Sequence, residues 1–200
     1  MNFPWIGSNY GGWNTPIDQS KDKLVYSFGI GHDYTWDAEV SEAGAEVHMF
    51  DPTPESIAFI AEHDITKHGL TFHQWGIHTM DEPVNLYHHL VPEYDTRSVF
   101  PGGQWEDKPE CTVPMYRLGT IIEKMGSRPP DWIKLCLGGD HEYWIVNQIL
   151  DYGYQPEVLI LLALHFSQEH QAKLMERLTK NEYVLVEPLT NPARWTLCKS

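Results

Sequence analysis

The sequence predicts an α/β protein with a doubly wound, mainly parallel, Rossmann-like sheet of about seven strands. Short apolar runs alternate with amphipathic stretches along the chain, as expected when helices connect the parallel strands of one sheet. At 200 residues and 42% hydrophobic content, the chain is large enough to bury one sizeable core. Because no internal repeat or linker-like stretch divides it, we expect a single domain over residues 1–200.

The first half of the chain supplies three predicted strands. Leu24–Phe28 is a short apolar run typical of a buried strand, and a glycine turn and a helical stretch over Tyr34–Ala43 follow it. Glu46–Phe50 is the second strand. The next helix begins at Pro54, since proline suits the first position of a helix, and Leu70–Trp75 is the third strand.

The middle of the chain, roughly residues 80–114, is rich in Pro, Gly, His and Asp. This composition predicts loops with one short strand near Leu86. The alternation of strands and helices then resumes. Helices are expected at Tyr116–Met125, Glu142–Leu150 and Gln168–Thr179, and strands at Trp132–Leu137, Glu157–His165, Tyr183–Glu187 and Ala193–Leu197.

The charge balance is strongly acidic, with 28 Asp and Glu against 14 Lys and Arg. Binding to a phosphate backbone needs clustered basic residues, which the sequence lacks, so we expect no nucleic-acid partner and no membrane partner. The longest apolar run, Val158–Phe166, is too short to cross a bilayer. Since the first residues also lack a secretory pattern, we expect a soluble, cytoplasmic protein.

Cysteine and histidine spacing gives no sign of a metal centre. The three cysteines include no CxxC pair, which argues against a zinc site or a disulfide framework and fits a reducing compartment. The eleven histidines show no HExxH or comparable spacing. We therefore predict that no metal is required.

The turn after the first strand contains two glycines, Gly29 and Gly31, which allow a tight turn and the close approach of a ligand. A dinucleotide site would have a third glycine, but Tyr34 stands there and Asp33 precedes it. An acidic side chain at this point repels a pyrophosphate and suits a positively charged ligand, such as one with an amino or sulfonium group. A plain tight turn is the alternative.

Asp51 directly follows the second strand, twenty residues after Gly31. In nucleoside-binding α/β proteins, an acidic residue at this place holds the two hydroxyls of the ribose. The alternative is a turn or helix-capping aspartate before Pro52. The joint spacing favours the ribose role.

Three motifs make the chain similar to a known family: YGGW (Tyr10–Trp13), VYSFGIGHDYTWD (Val25–Asp37) and EVHMFDPTPES (Glu46–Ser56). They resemble the FkbM-type S-adenosylmethionine-dependent methyltransferases. Looser similarity covers most of the remaining chain, in HQWGI (73–77), VPMYRLGTIIEKMG (113–126), DWIKLCLGGDHEYWIV (131–146) and VLILLALHF (158–166). The resemblance implies the class I methyltransferase fold, with S-adenosylmethionine as cofactor.

The resemblance also implies where the cofactor would lie. Its methionine part would contact the turn after the first strand, and its adenine would lie near the third strand, where an aromatic ring can stack. Asp51 would hold the ribose. The implied cofactor-binding residues are Phe28, Gly29, Gly31, Asp33, Asp51 and Trp75.

The chain departs from the family pattern after the fourth strand. The family has Lys-x-Asp-x-Glu-Gly-x-Glu there; Lys134 is kept, but Cys136 and Gly138 replace the first two acids. Gly139 matches the glycine, and Glu142 matches the last acid with one extra residue. On the next strand a further family acid is replaced by Ala163, while His165 is retained. These replacements leave open a catalytically degenerate S-adenosylmethionine-binding protein.

Methyl transfer to oxygen requires that donor and acceptor be aligned and that the hydroxyl proton be removed. His141 is the predicted base, because the unperturbed pKa of histidine is near neutral. Asp140 or Glu142 would orient it or act as the base; alternatively, both carboxylates serve the start of the following helix. His32 is a lesser candidate.

The favoured function is therefore S-adenosylmethionine-dependent O-methylation of a small-molecule or sugar hydroxyl. The acceptor class comes from the resemblance. A cofactor-binding protein without turnover is the alternative, and the missing third glycine disfavours a nicotinamide-dependent oxidoreductase. The sequence does not indicate an oligomeric state.

Overall fold

The computed structural model describes residues 3–92, 94, 96–164, 166–186, 191 and 193–200. The strands are β1 (Trp5–Ile6), β2 (Trp13–Asn14), β3 (Leu24–Phe28), β4 (Glu46–Phe50), β5 (Thr71–His73), β6 (Gly76–Ile77), β7 (Glu82–His88), β8 (Arg97–Ser98), β9 (Cys111–Tyr116), β10 (Trp132–Leu135), β11 (Val158–Leu162), β12 (Tyr183–Leu185) and β13 (Arg194–Lys199). The α-helices are α1 (Thr35–Glu42), α2 (Pro54–Ala61), α3 (Leu118–Met125), α4 (His141–Asp151) and α5 (Gln168–Lys180). Short 3₁₀ turns cover Ile17–Gln19 and Ile65–His68.

The main sheet has seven strands in the order β12-β13-β11-β10-β3-β4-β5. Neighbouring strands from β11 to β5 are parallel, whereas β13 runs antiparallel to both β11 and β12. The predicted mainly parallel α/β sheet of about seven strands is confirmed. Leu24–Phe28 is central in it, and Glu46–Phe50 is its neighbour, with the predicted bounds.

The order of the strands reverses beside β3. From β3 the chain moves outward through β4 to β5, and it later returns to β10, on the other side of β3, before it moves on to β11. Connections that leave neighbouring strands in opposite directions open a crevice at the carboxyl ends of those strands. The ends of β3 and β10 therefore form the floor of the expected ligand site, with Leu135 paired in register to Phe28.

Helices cover both faces of the main sheet. Helices α3, α4 and α5 bury their apolar side chains on one face, where Phe28 and Phe50 stack at 4.7 Å between ring centroids. Helices α1 and α2 pack on the other face around Trp36 and Ile60. The strands between the two layers are buried on both sides, which explains their continuous apolar runs.

The middle of the chain forms a second, small sheet in the order β6-β9-β7-β8, built mostly from antiparallel pairs. The prediction of loops with one short strand was wrong for this region, although β7 does include Leu86. Prolines in this region obscured the strand pattern in the sequence, because proline within an apolar run argues against a paired strand. Here Pro83 and Pro114 lie opposite each other in the β7–β9 ladder.

The hairpin of β1 and β2 is fastened to the last strand of the sheet. The guanidinium of Arg194 on β13 donates hydrogen bonds to the carbonyl oxygens of Tyr10 and of Gly12, the latter at 2.7 Å, and lies 4.8 Å from the ring centroid of Trp13. The hydroxyl of Thr196 donates to the carbonyl oxygen of Asn14. The start of the described chain is thus held by its end.

Two predicted strands run past the described residues, since His165 and Glu187 lie outside them. The described parts of these strands are β11 and β12. Within the described ranges, no helix is long and apolar enough to cross a membrane.

Candidate functional site

Different structural constraints require glycine at positions 29 and 31. Gly29 has φ +80°, and a Cβ there would lie 2.0 Å from the carbonyl oxygen of Cys136, so the turn after β3 rests directly on the turn after β10. Gly31 has φ +56°, and no other described atom lies within 4 Å of where its Cβ would be. Gly29 therefore lets the turns after β3 and β10 pack against each other. Gly31 leaves open space beside the backbone, where a ligand can approach.

The Asp51 carboxylate holds this turn from the end of β4. Its Oδ2 accepts hydrogen bonds from the backbone amides of Ile30 at 2.8 Å and Gly31 at 3.1 Å. Its Oδ1 accepts from the amide of Thr53 at 3.0 Å and from the Thr53 hydroxyl at 2.6 Å. All four acceptor positions of the carboxylate are used within the chain. Asp51 thus fixes the glycine turn, and the alternative of a turn aspartate is also realised through Thr53.

Asp33 ties the turn after β3 to the N-terminal hairpin. One of its oxygens accepts from the Ser8 hydroxyl, and the other accepts from the amide and the hydroxyl of Thr35 at 2.9 and 2.6 Å. Burial alone would raise the pKa of Asp33, but these hydrogen bonds outweigh it and lower the pKa below its usual value. Asp33 is therefore an acidic group two residues after Gly31, with its carboxylate directed at Ser8 and Thr35.

The two aromatic residues expected near the cofactor differ in what they can contact. The side chain of Phe28 is 1% exposed and packs in the core. It therefore offers no ring to a ligand, and only its backbone leads into the turn at Gly29. Trp75 is half-buried just after β5, 6.0 Å from the ring of Tyr116, and the Lys124 ammonium lies 5.0 Å from its ring centroid. Of the two, Trp75 has the ring that is partly exposed.

The turn after β10 is covered by the second sheet. A Cβ on Gly138 would lie 1.8 Å from the carbonyl oxygen of Arg97, and a Cβ on Gly139 would lie 3.0 Å from the Ser98 hydroxyl. Strand β8 therefore runs across this turn at backbone distance. The Gly138 found where the family has an acid makes this close approach possible.

Asp140 and Glu142 do not orient His141 in this structure. Asp140 stands at the N-cap position of α4 without a side-chain capping bond, and its carboxylate pairs with Nδ1 of His170 at 2.9 Å. Glu142 is fully buried, and its Oε1 accepts from the Leu137 amide at 2.7 Å. Burial raises the pKa of Glu142 well above its usual value.

His141 is 3% exposed and begins helix α4. Its ring lies 5.0 Å from the ring of His78 and 6.3 Å from that of Phe100. Burial, with a further contribution from His78, lowers the pKa of His141 to about 3. This corrects the near-neutral pKa expected from the sequence. At neutral pH the ring is uncharged, and it lines an open cavity of about 430 Å³.

Buried polar atoms without a partner gather on this side of the sheet. Among the described residues, seven buried side-chain atoms lack a hydrogen-bond partner, and five of them follow the carboxyl ends of β4 and β10 or belong to β8. These five are Glu55 Oε2, Arg97 Nη1, Asp140 Oδ1, His141 Nε2 and Glu142 Oε2. Such atoms cost free energy unless a ligand or water satisfies them, so their grouping indicates a ligand site.

Arg97 and Glu55 form an ion pair beside the turn after β10 that the sequence did not reveal. The Arg97 guanidinium donates to Glu55 at 2.7 Å and to Glu110 at 2.8 Å, and its side chain is 4% exposed. No motif links these three residues, because they are separated in sequence and meet only through the second sheet. The one signal in the sequence was Arg97 itself, an arginine in a segment that was predicted to be a loop.

Lys134 anchors the helix that follows the glycine turn. Its ammonium is buried between the Ser27 hydroxyl at 3.1 Å and the Asp37 carboxylate at 3.3 Å, and it faces the ring of Trp36. The pair joins α1 to β3 and β10 beneath the site. No group of three or more His, Cys, Asp or Glu side chains among the described residues could hold a metal ion.

Comparison with known proteins finds similarity in structure only, since no family model and no curated protein sequence matches the chain. One similar solved structure is methyltransferase FkbM from Methylobacillus flagellatus KT, with 13% identity, a TM-score of 0.52, and coverage of 89% of this chain and 43% of that one. The chain thus spans less than half the length of that protein. The Methanococcus jannaschii fibrillarin pre-rRNA processing protein has 9% identity, a TM-score of 0.51, and coverage of 94% and 70%. Magnesium protoporphyrin IX methyltransferase from Synechocystis PCC 6803, with bound SAM, has 12% identity, a TM-score of 0.50, and coverage of 91% and 72%. These likenesses show that the chain has the Rossmann-like methyltransferase fold.

Proposed function

We propose that the protein is an S-adenosylmethionine-dependent methyltransferase that methylates the hydroxyl of a small molecule or sugar. The observation that carries the proposal is the glycine turn at the switch point, where Gly31 borders open space and donates its amide to the Asp51 carboxylate, with the Asp33 carboxylate two residues farther along the chain. A cationic sulfonium cofactor suits such an acidic setting. The fold and the family resemblance point the same way.

The same turn argues against a nicotinamide cofactor. In dinucleotide sites, free backbone amides at the start of the helix bind the pyrophosphate. Here the amides of Ile30 and Gly31 already donate to Asp51, so a phosphate would meet a carboxylate instead of donors. Asp33 adds a second negative charge.

Asp51 can still take a ribose hydroxyl. The Thr53 hydroxyl has two acceptors in reach, Asp51 Oδ1 at 2.6 Å and the Ser56 hydroxyl at 2.8 Å, but only one proton to donate. When it donates to Ser56, an acceptor position on Asp51 becomes free for the ligand. The ribose can therefore bind without leaving Thr53 unpaired.

When bound, the cofactor would supply a methyl group attached to a positively charged sulfonium sulfur. The turns at Gly29 and Cys136 position donor and acceptor, and Glu142 fixes the second turn through the Leu137 amide. His141 takes the hydroxyl proton at Nε2. Its low pKa suffices, because a hydroxyl that is gaining a methyl group becomes a much stronger acid than an imidazolium ion.

Calorimetric titration with S-adenosylmethionine, S-adenosylhomocysteine and NAD tests the cofactor. We expect the first two to bind and NAD not to bind. Gly31→Ala should weaken the binding of S-adenosylmethionine at least tenfold, since the new methyl group fills the open space. Gly126→Ala is the matched control, because Gly126 has φ +60° and equally open surroundings but ends helix α3. Tight NAD binding, or equal effects of the two substitutions, would contradict the proposal.

The alternative is a catalytically degenerate protein of the same fold that binds S-adenosylmethionine without turnover. Cys136 and Gly138, which stand where the family has acids, and the pairing of Asp140 with His170 favour it. Formation of S-adenosylhomocysteine in the presence of acceptors distinguishes the two. Binding without any product would select the degenerate protein.

The fold alone does not indicate the class of the methyl acceptor, since a pre-rRNA processing protein and a porphyrin methyltransferase both have it. The acidic charge balance supports a small acceptor over a nucleic acid, because phosphates would be repelled.

A further inference from the structure

An open cavity of about 430 Å³ lies next to the turn after β10. Its walls come from the start of α4, from residues 78–85 and from the segment that follows β8. The volume is within the usual range for small-molecule sites. The side chains around it are mainly apolar or aromatic, and those that the argument uses are His78, Met80, Val84, Phe100, His141 and Trp144.

Large apolar side chains at the rim of this cavity are exposed to solvent. Met80, Phe100 and Trp144 are 50%, 43% and 47% exposed, and all three line the same cavity. Large apolar side chains grouped around a concavity are typical of a site that a ligand covers. Their rings and thioether offer flat contact area rather than hydrogen bonds.

Inside the wall, His141 supplies a polar atom that lacks a partner. Its Nε2 is buried and makes no hydrogen bond with any described residue. The rings of His78 and Phe100 lie beside it, and Phe100 is exposed enough to turn aside. A ligand hydroxyl that enters the cavity past Phe100 would satisfy this nitrogen.

We propose that the cavity binds the methyl acceptor and that the acceptor is an aromatic hydroxyl compound, held by its ring against Met80, Phe100 and Trp144 and by its hydroxyl at His141. The inference rests on the proposed function and narrows its acceptor class. The other polar residues of the wall are Thr79, Glu82 and Asn85. They are too few to pair with all the hydroxyls of a sugar, and each unpaired buried hydroxyl is costly, so an aromatic ring fits the cavity better.

One short segment of the chain, residues 136–141, connects the cofactor turn to the wall of the cavity. Cys136 touches Gly29, and His141 follows five residues later on the same turn. In the reaction, a bond forms between the acceptor oxygen and the methyl carbon while the bond between sulfur and that carbon breaks. The hydroxyl proton passes to His141 Nε2 and then to water, and the cofactor leaves as the neutral thioether.

Binding of 2-naphthol, naphthalene and methyl glucoside to the full chain, followed by fluorescence or calorimetry, tests the ligand class. We expect 2-naphthol to bind best. Val84→Trp fills the cavity and should weaken 2-naphthol binding at least tenfold. Val184→Trp, at an exposed position of strand β12, is the control and should leave 2-naphthol binding unchanged. Preferential binding of methyl glucoside, or a 2-naphthol affinity that Val84→Trp leaves unchanged, would overturn the inference.

The role of His141 has its own readout. His141→Phe keeps a ring but removes the nitrogen, so the preference for 2-naphthol over naphthalene should fall at least fivefold while naphthalene still binds. An unchanged preference would overturn the assignment of the hydroxyl to His141. With S-adenosylmethionine present, the parent should form 2-methoxynaphthalene, detected by mass spectrometry.

Failure of this inference differs from failure of the proposed function. If S-adenosylmethionine binds and 2-naphthol does not, the acceptor class is wrong and the cofactor assignment stands. If 2-naphthol binds as expected but S-adenosylmethionine does not, the methyltransferase proposal fails, and with it the assignment of the cavity to an acceptor.

Discussion

The Asp51 carboxylate is 5% exposed and accepts three backbone amides and one hydroxyl. It is therefore part of the scaffold of the glycine turn as well as the proposed ribose ligand. A residue with both tasks links the stability of the apo protein to its affinity for the cofactor. The two contributions can be measured separately.

Asp51→Ala should lower the free energy of unfolding without cofactor by about 2 kcal/mol or more, since buried amides lose their acceptor. It should also weaken S-adenosylmethionine binding by about 1.5–3 kcal/mol through the lost ribose contact. Denaturant unfolding and calorimetry measure these changes. Asp64→Ala is the control, because Asp64 makes a similar bond to the Thr66 hydroxyl on the exposed surface. Unchanged cofactor affinity in Asp51→Ala would contradict the ribose assignment.

The buried ring of His141 should make the protein less stable in acid. Its pKa is about 3 in the folded chain and near 6.5 when unfolded, so between these values only the unfolded chain binds the proton. Stability therefore falls as pH falls through this window. His141→Phe should make that slope shallower by about 1.4 kcal/mol per pH unit between pH 6 and 4. Urea unfolding at several pH values checks this, and parallel curves for parent and variant would contradict it.

At the scale of elements, strand β8 packs directly against the turn after β10 because Gly138 has no side chain. Gly138 has no positive φ, so alanine there adds no backbone strain and acts only through its contact with Arg97. Gly138→Ala should push β8 off the turn and speed amide hydrogen exchange in β7 and β8. Exchange in β3 and β10 should stay slow. Gly119→Ala, in helix α3, is the control, and equal protection of β8 in both variants would contradict the contact.

The sequence predicted the strands of the main sheet and missed most of the second sheet. Leu24–Phe28, which is buried along its whole length, and Glu46–Phe50 have the predicted bounds. The second sheet is half exposed and contains paired prolines, so its pattern resembles loop. Its strands are recognisable only from their partners.

The same distinction applies to the site. The glycine turn and Asp51 could be found because their spacing along the chain reflects the geometry of consecutive parallel strands. Arg97 and Glu55 could not, since their contact depends on how β8 crosses the sheet. The pKa of His141 was also beyond the sequence, because burial sets it.

For the molecule as a whole, we expect folding and activity to be independent of divalent metal. The described residues offer no grouped set of ligands, and the proposed chemistry needs only alignment and a proton acceptor. Treatment with EDTA should leave the melting temperature and the rate of methyl transfer unchanged. Loss of either, with recovery on adding a divalent ion, would contradict the prediction.

The clasp between Arg194 and the N-terminal hairpin has a consequence for the order in which the protein is assembled on the ribosome. Synthesis delivers β1, β2 and the glycine turn first, but the guanidinium that holds Tyr10 and Gly12 is made only near the end. Before that, the hairpin can already be held by α1, since the Ser8 amide donates to the Thr35 hydroxyl and the Ser8 hydroxyl donates to Asp33. The parallel strands from β3 to β11 can likewise pair as they emerge. Strand β13 therefore completes the sheet and fastens the hairpin in the same step.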